Sequence, residues 1–285
     1  MKSRLVALSF LLLLTLSHSR GQETTLDLEY ARVDGHSLKL DLHRPALAEA
    51  PLIVYVHGGA WRAGSKANVP VARLIERGFA IASVDYRLST EAPFPAQAQD
   101  IKAAIRFLRA KSALLHLRTE KMVIMGSSAG GHLAALVGVT NGVKTLDGTV
   151  GDHWDQSSDV QGIVSYYGAS NLQSILSQST EFGLTVRIPA LKLLLGDTPD
   201  QKADLAKLAS PVAHLDKADP PLLLIHGDAD PQMPPAQSQE LAKGYEALHL
   251  PVELIILPGS EHGGDEFYDE VRTDIVAKFL DKVLR

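Results

Sequence analysis

The chain has 285 residues, a formal net charge of −5 and a pI near 6.1, with 45% hydrophobic and 21% charged residues. Its Lys and Arg residues are scattered, so no basic surface for nucleic acid follows, and that class of partner is excluded. It has no cysteine, which excludes a disulfide framework and a lipidated N-terminal cysteine.

Residues 1–19 begin with Lys2 and Arg4, continue through an apolar run over 5–16 and end on Ser17-His18-Ser19. This is the pattern of a cleaved secretory signal, and the run is short for a bilayer span of about 20 residues. The expectation is a single mature domain over 20–285, periplasmic or outside the cell, without stable membrane insertion. The pattern leaves the oligomeric state open.

Alternation of apolar and polar residues over 38–42 predicts a half-buried strand near a sheet edge. Continuous apolar runs over 52–56, 79–84, 122–125, 162–166, 222–225 and 254–257 predict strands buried on both faces of a mainly parallel sheet. Helical patterns fall between them, over 69–77, 96–111, 132–139, 236–248 and 267–284. In the second of these Ile101, Ala104, Ile105 and Leu108 share one face, while Lys102, Arg106 and Arg109 face away. Strands alternating with helices predict right-handed crossovers, a doubly wound α/β sheet, and a ligand site at the C-terminal strand ends. Two stretches interrupt the rhythm. Residues 141–159, rich in Gly, Asp and Ser, predict a long exposed loop. Residues 168–210, with a helical piece over 188–195, are longer than one crossover requires and predict a small cap.

Gly126-Ser127-Ser128-Ala129-Gly130 follows one predicted strand directly and leads into a helix. A strand-to-helix turn this tight strains its central residue and needs small residues two positions to either side. Gly126 and Gly130 meet that need for Ser128, whereas Ser127 would require Met125 in the same place. Ser128 is therefore the candidate nucleophile. A serine hydroxyl is weak near neutral pH and needs a base, itself oriented by an acid. The strand at 222–225 runs into His226-Gly227-Asp228-Ala229-Asp230-Pro231, which offers Asp230, with Asp228 as the alternative. The strand at 254–257 runs into Pro258-Gly259-Ser260-Glu261-His262-Gly263-Gly264, and His262 is the candidate base. Developing negative charge requires backbone N–H donors. Ala129, at the helix start, is one candidate. Gly58 and Gly59 of His57-Gly58-Gly59-Ala60-Trp61 are the others, with Ala60 able to replace Gly58. Trp61, Tyr86 and Tyr167 are the candidate aromatic neighbours of a substrate. No His and carboxylate cluster has ligand spacing that this set does not explain better, so neither metal nor organic cofactor is implied.

With these residues placed, the chain resembles the α/β-hydrolase superfamily over nearly all of its length after the leader. His57-Gly58-Gly59-Ala60-Trp61, Ser83-Val84-Asp85-Tyr86-Arg87-Leu88, Gly126 to His132 and His226 to Asp230 resemble the secreted carboxylesterases that include bacterial feruloyl and acetylxylan esterases. The resemblance implies a serine carboxylic ester hydrolase acting through an acyl-enzyme on a small-molecule or polysaccharide-linked ester. The oxyanion motif is not the His-Gly-Gly-Gly of the hormone-sensitive lipase group. Its His-Gly-Gly-x-Trp form also occurs in arylformamidases, which are generally intracellular, so the leader counts against them. A binding protein on an inactive hydrolase scaffold is the reading from another class; such relatives usually lose a member of the triad.

Overall fold

The computed structural model describes residues 22–47 and 49–285; the expected leader at 1–19 lies outside them. Eight strands run in chain order: β1 (Glu23–Val33), β2 (His36–Arg44), β3 (Ala50–Val56), β4 (Ala80–Val84), β5 (Leu117–Ser127), β6 (Gly162–Tyr166), β7 (Leu222–Gly227) and β8 (Val252–Leu257). They form one sheet of order β1-β2-β4-β3-β5-β6-β7-β8, with the β1–β2 and β2–β4 pairs antiparallel and the remaining pairs parallel. The helices are α1 (Arg73–Glu76), α2 (Ala96–Ala110), α3 (Ser112–Leu115), α4 (Ala129–Gly138), α5 (Lys144–Asp147), α6 (Ile175–Gln178), α7 (Glu181–Leu195), α8 (Ala203–Leu208), α9 (Ala236–Ala247) and α10 (Glu270–Leu284).

Every residue of β3 is buried, because both faces of the central sheet are covered. Leu52, Val54 and Val56 point into the layer with α2, α4 and α9, while Ile53 and Tyr55 point into the layer with α1 and α10. Full burial of each large aliphatic side chain contributes about 1.5–3 kcal/mol, so such runs specify strands without any alternation. The outermost strand, β1, carries mostly exposed and charged residues, which is why its sequence does not read as a strand. The helix expected over 69–77 shrinks to the single turn of α1, and that expected over 267–284 begins at Glu270, where Asp269 accepts from the Arg272 N–H at 2.9 Å.

Residues 141–159 are less exposed than expected. They include α5, whose Leu146 is fully buried, and they fold over the polar side of α2. Lys102, expected to face away, is covered: its Nζ donates to Thr140 O at 2.7 Å and to Asp147 Oδ1 at 2.8 Å. Arg106 donates to Asp147 O and Val150 O, and Arg109 to Ser157 O and Asp159 O, so the three cations clasp this segment to the helix. Burial lowers the Lys102 pKa, against the opposing influence of Asp147.

Between β6 and β7 lies the long insertion, with α7 as its main element. The helix starts seven residues earlier than the predicted piece at 188–195, because Thr180 caps it: its Oγ1 accepts from Gly183 N–H at 2.9 Å. The same hydroxyl donates to Pro231 O at 2.7 Å, fixing the helix start to the loop after β7. Pro189 lies inside the helix, so the expected piece over 188–195 is only its C-terminal half.

Candidate active site

The turn after β5 places Ser128 at φ 54°, ψ −119°, a backbone conformation that costs a non-glycine residue about 1–3 kcal/mol. The surroundings enforce it. A Cβ on Gly130 would lie 2.0 Å from Val56 O, and one on Gly126 would lie 2.3 Å from Gly130 O, so no side chain fits at either position. Ser128 N–H donates to Tyr166 O at 2.9 Å, and Ser128 O accepts from His132 N–H at 3.0 Å as α4 begins. Ser127, on the same turn, instead pairs its hydroxyl with Tyr55 Oη at 3.1 Å, away from the base.

The C-terminal ends of β7 and β8 bring the other two candidates to the serine. His262 Nε2 lies 2.8 Å from Ser128 Oγ, and His262 Nδ1 lies 2.6 Å from Asp230 Oδ2. Asp230 Oδ1 accepts from the Gln232 and Met233 N–H groups, each at 2.8 Å. Burial raises the Asp230 pKa, but hydrogen bonds from His226 and His262 and from the backbone outweigh it, holding the carboxyl well below the usual carboxylate range. Asp228, the alternative acid, is exposed and accepts from Gly259 N–H at 2.7 Å, so it ties the two loops together instead. Gly227 completes that junction, since a Cβ there would sit 2.1 Å from Ser260 O.

A cleft of ≈ 270 Å³ opens beside Ser128, lined by Gly59, Ala60, Ser127, Ser128, Tyr167, Arg187, Gln232 and His262. The Gly-Gly loop stands across it. Gly59 has φ 114° and its Cβ would meet Ala63 O at 2.0 Å, while Ala60 follows at φ 52°. The N–H groups of Gly58, Gly59, Ala60 and Ala129 donate to no described residue. Of the three loop residues, Gly59 and Ala60 line the cleft, whereas Gly58 is pressed against Ser127 O and would place a Cβ 2.9 Å from it.

The three aromatic candidates separate. Tyr167 lines the cleft, with its ring 4.8 Å edge-on from the His262 ring and its hydroxyl 2.6 Å from that of Tyr268. Trp61 and Tyr86 lie beneath the cleft wall. Tyr86 stacks on His57 at 4.4 Å and donates to His57 O at 3.1 Å, supporting the Gly-Gly loop from behind. Trp61 is fully buried and donates its indole N–H to His132 Nδ1 at 3.1 Å. His132 Nε2–H donates to Ala209 O at 2.6 Å, and burial first, then nearby Arg187, holds this imidazole's pKa down to about 4 despite the carbonyl. The chain Trp61–His132–Ala209 thus links the Gly-Gly loop, α4 and the end of the insertion. Aromatic residues near a motif suggest substrate contact from sequence, but here their bulk packs the loop.

Two polar residues of the site were not among the candidates. His226 is fully buried, and its Nε2–H reaches both Met233 O at 2.9 Å and Asp230 Oδ2 at 3.3 Å while Nδ1 accepts from Ser238 Oγ at 2.7 Å. Its signal is position: it is the last-but-one residue of a buried strand, four before the acid. Arg187 is 1% exposed, although it lines the cleft. It shares a face of α7 with Gly183, Ala190, Leu191 and Leu194, all buried, so its signal is a charge within an apolar stripe.

Among the described residues no helix is long and apolar enough to cross a membrane. A family model described as BD-FAE matches residues 40–245. Esterase LipC of Mycobacterium tuberculosis is 30% identical over 244 residues, 83% of this chain; the chain spans 59% of that relative's length. A truncated carbohydrate esterase from gut microbiota superposes with a TM-score of 0.82 at 29% identity, covering 93% of this chain and 98% of its own. The bifunctional GH43-CE protein of Bacteroides eggerthii superposes at 0.83 and 34% identity, covering 92% of this chain and 35% of its own. On an α/β-hydrolase fold shared with these esterases, and with a family match over most of its length, the chain belongs to the BD-FAE family.

Proposed function

We propose that this protein is a secreted serine carboxylesterase acting on acyl esters of carbohydrates, acetyl or feruloyl groups among them. The observation that carries the reading is the continuous relay from Ser128 Oγ to His262 at 2.8 Å and from His262 to Asp230 at 2.6 Å. A base must sit within hydrogen-bond reach of the proton it takes, and each contact here does. Ser128 attacks the ester carbonyl as its proton passes to His262 Nε2. Asp230 accepts from Nδ1–H and stabilises the imidazolium that forms. The N–H groups of Gly59, Ala60 and Ala129 hold the oxyanion, in a role usually worth several kcal/mol of barrier. The imidazolium then gives its proton to the leaving alkoxide, and water repeats the sequence to free the acid and regenerate Ser128. The carbohydrate preference is supported by the two superposing carbohydrate-esterase chains, and export by the signal-like pattern of residues 1–19.

The test is turnover by the purified protein of p-nitrophenyl acyl esters, methyl ferulate, acetylated xylan and N-formylkynurenine, with Ser128→Ala as control. The reading expects ester hydrolysis that falls by at least about a thousandfold in Ser128→Ala. Turnover of the formamide alone would replace the reading with an amidase one, and equal ester turnover by Ser128→Ala would remove Ser128 from the chemistry.

A further inference from the structure

Arg187 is the one cation in the wall of the cleft, and no carboxylate side chain lines that wall among the described residues. Its Nε and Nη1 are buried without a hydrogen-bond partner, in a residue only 1% exposed. Buried guanidinium groups are normally paired, because their desolvation is costly, so such an orphan needs an explanation. Packing alone does not supply one. The guanidinium carbon lies 5.8 Å from the centre of the Trp61 ring, but that contact satisfies no N–H. The nearest functional acid does not supply one either: both oxygens of Asp230 are already occupied by His262, His226 and the Gln232 and Met233 N–H groups. Burial lowers the Arg187 pKa to about 10, with the through-space attraction of Asp230 opposing it and Arg62 adding to it, so the group stays charged at neutral pH and has no anion hydrogen-bonded to it.

Resting on the esterase reading above, we infer that Arg187 is a specificity-determining residue that receives a carboxylate carried by the substrate close to its scissile ester. A planar fork of N–H donors matches the two oxygens of a carboxylate, and a desolvated site strengthens that pairing. The shared chemistry is the carboxylate; it can stand on the acyl side, as in a dicarboxylic hemiester, or on the alcohol side, as in an acylated uronic acid. The neutral counterpart of either substrate leaves the guanidinium unpaired, which is the strongest form of discrimination a small polar site can exert.

Two matched pairs test it: p-nitrophenyl hemisuccinate against p-nitrophenyl butyrate, and an O-acetylated glucuronic acid against the same O-acetylated glucose. In wild type the carboxylate member of one pair is expected to have kcat/KM roughly 10- to 100-fold above its neutral partner, and the pair that responds identifies the side. In Arg187→Met that ratio falls towards one, while Arg187→Lys keeps part of it as a point charge. Binding of succinate and glucuronate to Ser128→Ala, measured calorimetrically against butyramide and glucose, reads the same preference without turnover. A neutral preference in both pairs together with no carboxylate binding by Ser128→Ala would overturn the inference, as would a ratio that survives in folded Arg187→Met. Failure of the esterase reading is separate: it is the absence of Ser128-dependent turnover of any member, and the calorimetric comparison still decides the role of Arg187.

Discussion

At the scale of single residues, Asp230 stands out because its oxygens serve two imidazoles and two backbone N–H groups. His226 adds a second N–H donor behind the one that faces the serine, and both hydrogen bonds help hold the carboxyl in its ionised form. His226 touches no reacting atom and is a positioning residue. His226→Gln is expected to lower kcat about tenfold, the value of one hydrogen bond to a charged acceptor, with KM changed less than twofold; steady-state kinetics on a simple ester measure both. A rise in KM with kcat intact would instead place His226 in substrate binding. The grouping of Ser128, Asp230 and His262 was legible in the sequence, because strained turns and post-strand loops carry glycines at fixed offsets, and a Cβ at Gly126, Gly130 or Gly227 would run into backbone here. His226 and Arg187 were not. A histidine inside an apolar strand reads as core, and an arginine two positions before a proline reads as lying outside the helix.

At the scale of elements, the Gly-Gly loop, α4 and the insertion meet through His132. Trp61 N–H donates to Nδ1 and Nε2–H donates to Ala209 O, an arrangement that requires the neutral imidazole. The ordinary histidine value is 6.5 and the folded value is about 4. Between these the unfolded chain binds a proton that the folded chain refuses, so stability falls as pH drops through this window and is unaffected by this group above it. The span corresponds to a loss on the order of 3 kcal/mol from pH 7 to pH 4. In His132→Gln, whose amide can accept from Trp61 and donate to Ala209 without titrating, denaturant unfolding is expected to show a shallower decline over the same range. An unchanged slope would assign the pH dependence to other groups. Nothing in the sequence joins Trp61, His132 and Ala209, since the link is made by the sheet order that brings β3 beside β5.

At the scale of the whole molecule, a sheet buried on both faces presents the ends of β3, β5, β7 and β8 along one edge, and the loops after those strands carry the reactive groups. The parallel strands were readable as continuous apolar runs, because burial on both faces removes alternation. The edge strand β1 was not, since an exposed and charged edge carries no such run. The Gly, Asp and Ser content likewise suggested a long exposed loop at 141–159, whereas burial of Lys102 and Arg106 beneath it makes the segment part of the α2 layer. The arrangement as a whole rests on one claim, that Ser128 is activated. Incubation with an organophosphonate ester followed by mass spectrometry of the intact protein and its peptides tests this directly. One adduct per chain is predicted, on the peptide containing Ser128, lost in Ser128→Ala and strongly slowed in His262→Ala. An adduct elsewhere, or labelling of Ser128 at the same rate without His262, would contradict the account.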